Sequence, residues 1–246
     1  MSAPAPRHDA IAAELRTAIL RGTYRPGDRL PAERDLASRL RANRGSVREA
    51  LRKLEQQGLV AIRHGGGATV RGPEHASLDV VHHMLFVDGR LDRALLEQLL
   101  EVHEMLVAGA TRLAVEHGDA EQIDAARELL RRIASPATSD DEFIDGAAAL
   151  LELIARASRN LVLRLARNAV NPLFEPRFRE VRKRLRPPAE VLLPVTRELD
   201  AAIAARDAAA ADAAVRSLLR LNRTRILDAL STLHEVQPPD SAASRA

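Results

Sequence analysis

The stretch from Leu30 to Val70, LPAERDLASRLRANRGSVREALRKLEQQGLVAIRHGGGATV, constrains the fold more than any other part of this chain. After Pro31, which suits the start of a helix because its missing N–H costs little there, Leu36, Ala37 and Leu40 recur at helical spacing. Arg41-Ala42-Asn43 makes a tight connection, with Asn43 placed to cap a helix from Arg44 onward. In that helix Val47, Ala50, Leu51 and Leu54 fall at i, i+3, i+4 and i+7 and form one buried stripe. Gly58 stops it; Val60 and Ile62 then alternate in one strand and Ala68 and Val70 in the next, around Arg63-His64-Gly65-Gly66-Gly67. Two short helices followed by a hairpin predict a winged helix-turn-helix.

Charge gives this head a purpose. Residues 1–72 carry 14 Lys/Arg against 7 Asp/Glu, a net of +7, while residues 73–246 carry 23 against 27, a net of −4. A basic head on a mildly acidic body is the footprint of a nucleic-acid binder rather than of evenly scattered surface charge. Arg44, Arg48 and Arg52 lie at i, i+4 and i+8 beside the apolar stripe of the third helix. A guanidinium fork can meet guanine O6 and N7 together, or a phosphate, so a helix that must pack and also enter a major groove needs this pattern. Arg44 and Arg48 are nearest the end that reaches base edges, whereas Arg52 and Lys53 suit backbone or solvent. Three glycines give the wing tip freedom for positive φ and close approach to a groove. His64 beside them reads either as a groove or phosphate contact or as a polar turn residue.

Ahead of this stretch, Ser2 to Arg7 reads as a disordered tail. Ile11, Leu15, Ala18 and Ile19 then predict a helix over His8–Arg21, ended by Gly22, and Tyr24-Arg25-Pro26-Gly27-Asp28 a turn.

The segment from Ile19 to Val70 resembles the DNA-binding domain of the GntR family of bacterial transcriptional regulators, on the combined motifs PGDRLPAERDLA, VREAL, LEQQGLV and HGGG. The resemblance implies that Arg34, Arg44 and Arg48 contact DNA, with His64 and Gly65 as wing contacts. Where the family reads LGVSR this chain has Leu40-Arg41-Ala42-Asn43-Arg44, so Asn43 keeps the capping role of a hydroxyl residue and alters the base preference. The expected DNA-binding set is Arg34, Asn43, Arg44, Ser46, Arg48, His64 and Gly65.

Beyond Pro73 the pattern is helical throughout. His75–Val87 reads as a short helix or linker, Asp92–His117 as a long helix packing through Leu95, Leu96, Leu99, Leu100, Leu106, Ala110 and Leu113. Further helices are expected over 119–133, 141–157, 161–184 (bent or split by Pro172 and Pro176), 189–206 and 208–234. The fold class is therefore mainly α: a winged helix-turn-helix with a small β-hairpin wing over 1–72, a linker over 73–90, an antiparallel α-helical bundle over 91–236, and a disordered tail over 237–246. With 246 residues and 46% hydrophobic content, two modest cores are expected, filled by aliphatic side chains because aromatics make up only 2%.

This order of domains resembles the FadR-type subfamily, whose bundle is called the FCD domain. Many such bundles hold a metal through an Asp and three His. Counted from Asn160, the Asp position falls on Ala147 and the first His on Leu151; counted from Ala202-Ile203 and Asp207, the other two fall on Thr196 and Leu218. None supplies a good metal ligand, and the family's arginine in the first long helix is replaced by His103. No metal and no cofactor are expected. His103, Leu151, Thr196 and Leu218 mark the expected effector pocket, a dry one suited to an apolar small molecule such as a fatty acyl compound. The basic run Arg177, Arg179, Arg182, Lys183, Arg184 and Arg186 reads as a solvated helix end, or as a seat for a phosphate-bearing effector.

The absence of Cys removes disulfides, thiolate metal sites and cysteine nucleophiles. No apolar run reaches the ~20 residues of a membrane span, and MSAPAPRHDA lacks a signal-like core, so a cytoplasmic protein with no membrane partner is expected. Residues 73–246 hold no H-E-x-x-H, no glycine-rich phosphate loop and no carboxylate pair beside a His at catalytic spacing; no catalytic residue is assigned. The chain reads as a ligand-responsive repressor acting as a homodimer on palindromic half-sites of a double-stranded DNA operator. The alternative is an architectural winged-helix protein without an effector.

Overall fold

The computed structural model describes residues 6–63, 66–88, 90–169, 183 and 186–232. The chain divides into two compact units, Met1–Asp92 and Arg93–Ala246. Among the described residues no helix is long and apolar enough to cross a membrane.

The first unit is built on α1 (Arg7–Leu20), α2 (Glu33–Arg39) and α3 (Arg44–Gln56), followed by β1 (Val60–Arg63) and β2 (Gly67–Val70). Ile11, Leu15, Leu36, Val47, Leu54 and Val60 form its aliphatic core, to which α3 contributes its whole predicted stripe. The strands pair antiparallel with Val60 opposite Val70 and Arg63 opposite Gly67. Leu30 N–H donates to Ala68 O and Val70 N–H to Asp28 O, so the segment after the Pro-Gly turn runs along β2 and ties the wing to the entrance of α2. Arg7, expected in the tail, opens α1 instead and donates to Leu40 O at 2.7 Å. Gly58 ends the α3 region with φ +73°, and a Cβ there would overlap the carbonyl of His75, so both backbone conformation and close approach demand glycine.

The 73–90 stretch departs from the purely helical expectation. It makes two 3-10 turns, a short α4 (Val81–Met84) and a second hairpin of β3 (Phe86–Val87) and β4 (Arg90–Leu91). Two-residue strands carry no periodicity to read; the reversal is set by Asp88 at φ 56°. The rings of His82 and His83 on α4 lie with centroids 3.8 Å apart, tilted by 45°.

The second unit is helical: α5 (Arg93–His117), α6 (Ala120–Ala134), α7 (Asp140–Ala157), α8 (Leu161–Ala169), α9 (Ala189–Ala204) and α10 (Ala208–Thr232). Asp119 and Ser139 begin α6 and α7 with full capping boxes, answered by Gln122 and Glu142. Helix α5 packs on α7, α8 and α10, while α6 and α9 close the far side. Val107, Leu130, Ile154, Leu199, Ile203 and Val215 lead a core with many alanines, which lets helices approach closely. Arg127 joins α6 to Asp200 of α9 at 2.8 Å, and Arg206 donates to the Val115 and Gly118 carbonyls at the end of α5. On α5 the expected Leu96, Leu99, Leu100 and Ala110 are buried, while Leu95, Leu106 and Leu113 are only half-buried and His103, Glu104, Val107 and Thr111 join the buried face instead. Pro172, Pro176 and the 237–246 tail lie outside the described residues.

Candidate functional site

Helix α3 presents two faces. Val47, Ala50, Leu51 and Leu54 are buried, and Arg44 and Arg48 are exposed. Asn43 lies at the N-cap in extended backbone, and its Oδ1 accepts from Ser46 N–H at 2.7 Å, fixing the first turn. Ser46 is half-buried inside that turn, so its backbone serves the cap. Arg44 has no ion pair among the described residues. Arg48 is held by Glu33 of α2, with Nη2 to Oε2 at 3.0 Å and Nε to both oxygens at 3.3 Å. That hydrogen-bonded carboxylate raises the Arg48 pKa above its ordinary value. Arg34, one residue after Glu33, is 76% exposed in its side chain and pairs with neighbouring Asp35 at 3.3 Å. The two cations expected to matter less are tied down, Arg52 to Glu49 at 2.9 Å and Lys53 to Asp9 of α1 at 2.7 Å.

In the first unit Glu33 ties Arg48 of α3 to α2, Arg34 follows on α2 beside Asp35, and Arg44 lies a turn toward the start of α3. Both ends of such a surface can meet anions: two arginines must exchange a protein carboxylate for a phosphate or base edge, and one is already open. His64 and Gly65 lie outside the described residues. The wing is otherwise visible through Gly67 at φ +78° and Gly66, where a Cβ would lie 3.6 Å from Arg29 Nη2. Arg29 thus adds a guanidinium beside the wing, which sequence reasoning missed; its signal was the position just before Leu30, opposite Thr69 of β2. Glu33 was missed as well, although it stands inside the PAER motif.

In the second unit the four expected pocket residues stand on four helices: His103 on α5, Leu151 on α7, Thr196 on α9 and Leu218 on α10. Leu151 packs against the core. Thr196 is buried, and its hydroxyl donates along its own helix toward Leu192 O and Leu193 O, at 2.9 and 3.1 Å, so it is spent internally. His103 is buried; that burial, then the charge of Arg167, pushes its pKa down to about 4. It is a neutral imidazole at ordinary pH. A small apolar crevice lies elsewhere, lined among others by Thr111, Val115, Ile123, Leu153 and Ile203, and includes none of the four. Among the described residues no group of three His, Cys, Asp or Glu could hold a metal.

Charged pairs that periodicity did not reveal link these helices. Buried Glu104 of α5 meets Arg220 of α10 at 3.0 Å, and Glu152 of α7 meets Arg167 of α8 at 2.7 Å. Of the basic run, Lys183 pairs with Asp141 at 3.1 Å and Arg186 with Asp140 at 2.9 Å, so both are engaged with the start of α7. Arg177, Arg179, Arg182 and Arg184 lie outside the described residues.

A family model described as "Bacterial regulatory proteins, gntR family" matches residues 7–70, and one described as "FCD domain" matches residues 98–221. The HTH-type transcriptional regulator Rv0494 of Mycobacterium tuberculosis is 33% identical over 222 residues, 89% of this chain and 89% of that protein. The HTH-type transcriptional regulator Mce2R of Mycobacterium tuberculosis is 30% identical over 220 residues, 88% of this chain and 90% of that one. Among solved structures, that of Lar, which controls the expression of the Listeria monocytogenes agr system, is similar at a TM-score of 0.55 and 18% identity. The match covers 92% of this chain and 99% of Lar, a likeness of fold.

Proposed function

The chain belongs to the GntR family of bacterial regulatory proteins and carries an FCD domain behind its DNA-binding head, and from that premise we propose that it is a FadR-type repressor working as a homodimer. It is a transcriptional regulator and not an enzyme. The observation that carries the proposal is the Asn43-capped helix α3, which holds Arg44 and Arg48 outward on the side away from its buried stripe. Two such helices reach operator half-sites about one helical turn, ~34 Å, apart. In this reading Arg44 and Arg48 read base edges, Arg34 and the His64-Gly65 wing meet backbone and groove, and Asn43 with Ser46 sets the first turn. A mobility shift on an operator fragment tests it: Arg44→Ala and Arg48→Ala each weaken specific binding, and binding equal to the parent's refutes the assignment.

The effector in this reading is a largely apolar acid, fatty acyl in character, held in the bundle without a metal. Support comes from Ala147, Leu151, Thr196 and Leu218 at the family's metal positions, and from the neutral His103. Because His103 carries no charge, Arg167, whose charge reaches it, is the partner for an acid group, which must displace Glu152. Binding shifts the head population and releases DNA. A thermal-shift series discriminates: a ligand at 100 times its Kd stabilises by about 2.7 kcal/mol. Stabilisation by long-chain acyl compounds supports the proposal, and stabilisation by short hydrophilic acids alone refutes it.

A further inference from the structure

The edge of the wing carries a guanidinium that no protein group claims. Arg29 stands in the segment that runs antiparallel along β2, bridged to Thr69, with Leu30 N–H donating to Ala68 O and Val70 N–H to Asp28 O, both at 2.9 Å. Successive residues of such a strand face opposite ways. Leu30, Ala68 and Val70 take the buried side, so Arg29 takes the outer one, where it is exposed. The hydrogen bonds on either side of it hold the backbone, and the side chain extends toward the turn of the hairpin. Its Nη2 lies 3.6 Å from the position a Cβ on Gly66 would take.

Several cations of the head are engaged by protein groups: Arg34 by Asp35, Arg48 by Glu33, Arg52 by Glu49, Lys53 by Asp9 and Arg39 by the Tyr24 hydroxyl. The Arg29 guanidinium has no hydrogen bond or ion pair among the described residues. Acids near it are committed or absent. Asp28 turns its carboxylate to Arg25 N–H at 2.7 Å, Glu55 accepts Ile62 N–H at 2.8 Å, and from Gln56 to Pro73 the chain contains no Asp or Glu. The turn itself is slim: Gly66 has no side chain, and a Cβ there would meet Arg63 Cβ at 2.9 Å. A narrow positive edge with no internal counter-ion is complementary to a narrow negative groove.

We propose that Arg29 reads the minor groove of the operator at A·T steps flanking the bases met by α3. This rests on the sequence-specific DNA-binding reading above and is independent of the dimer. With α3 in the major groove, a hairpin displaced from it meets the neighbouring minor groove, about 6 Å wide, which admits a glycine turn and one planar guanidinium. A·T pairs narrow that groove and concentrate its negative potential. They also offer adenine N3 and thymine O2 as acceptors, where guanine presents its N2 amino group instead. Arg29 thereby adds a sequence preference at positions that α3 does not touch.

The test uses the full chain and a duplex that it enriches from a random-sequence pool, with the steps flanking the α3 site made A·T, G·C or I·C. Inosine removes the N2 amino group and keeps the major-groove face of guanine. By fluorescence anisotropy the parent binds the A·T and I·C duplexes about tenfold more tightly than the G·C duplex, the effect of one mismatched position. Arg29→Ala binds all three alike, near the parent's G·C affinity. Arg29→Lys keeps the charge and the salt slope but loses most of the discrimination, because an ammonium is a compact, strongly hydrated point charge. The lysine variant, which keeps the stem, decides alone if alanine lowers the unfolding midpoint. A parent indifferent to the flanks overturns the minor-groove assignment; if Arg29→Ala then weakens all three complexes with a salt slope lower by about one, Arg29 meets a phosphate instead. Discrimination that survives intact in Arg29→Ala overturns the assignment as well. A parent that enriches no sequence overturns the sequence-specific reading and this one together.

Discussion

Replacing Asn43 by alanine removes the acceptor that holds the first turn of α3. Its Oδ1 takes the Ser46 N–H at 2.7 Å, so one of the orphan amides of the helix start loses its partner. Loss of such a cap costs about 1 kcal/mol, with a range of about 0.5–2. For a unit the size of the head this lowers the unfolding midpoint by about 4–8 °C. A domain stable by at least about 5 kcal/mol nevertheless remains more than about 99% folded after that loss. Unfolding therefore accounts for almost none of any fall in operator affinity, and the two quantities can be separated. Asn43→Ser supplies another capping acceptor without the carboxamide. Thermal unfolding of the full chain and amide exchange at Ser46 read the cap, and fluorescence anisotropy on an operator duplex reads binding. Alanine lowers the head transition and exposes the Ser46 amide, and serine restores both. If Asn43 also touches a base, serine leaves affinity reduced at one operator position while stability is recovered. An unchanged midpoint and unchanged Ser46 protection in the alanine variant would refute the capping argument.

Glu33→Gln frees Arg48 and removes a negative charge from the DNA-facing edge, so operator binding tightens a few-fold and its salt dependence steepens; weaker binding would show that Glu33 positions Arg48 productively. Gly58→Ala places a Cβ at positive φ against the His75 carbonyl and costs at least about 1–2 kcal/mol in the head, read by denaturant unfolding; an unaltered midpoint would count against the close approach. His103 is shifted from 6.5 to about 4 by burial and then by Arg167, so between those pH values the unfolded chain binds a proton that the folded chain refuses. Stability is full above pH 6.5 and falls by up to about 3 kcal/mol as pH drops to 4, a slope that His103→Phe flattens; parallel parent and variant profiles would remove its cause. Chelator or added zinc leaves the unfolding temperature of the bundle unchanged, and a metal-dependent rise would contradict a metal-free effector site.

The helices of the head were legible because their signals are local. A cap at Asn43 and a stripe at Val47, Ala50, Leu51 and Leu54 lie within a few residues and act through backbone geometry alone. The same logic read the long helices of the body. On α5 it placed Leu96, Leu99, Leu100 and Ala110 in the core but also Leu95, Leu106 and Leu113, where polar Glu104 and Thr111 are covered instead, because only the neighbouring helices decide how far the buried side extends. It missed the β3–β4 hairpin, whose strands are too short to repeat anything.

Sequence by itself determined the order of the helices and of the wing, and the basic character of the head. Those are properties of residue type and spacing. Tertiary structure decided which charges are free: Arg48 is held by Glu33, 15 residues away, and Glu104 by Arg220, 116 residues away. It also decided that α8 turns Arg167 to Glu152 while Leu161 and Leu165 stay in solvent. Apolar periodicity marks a stripe without saying what will cover it. The choice is made by the partners that packing brings near, since a buried arginine costs far more without its carboxylate than an exposed leucine costs in water.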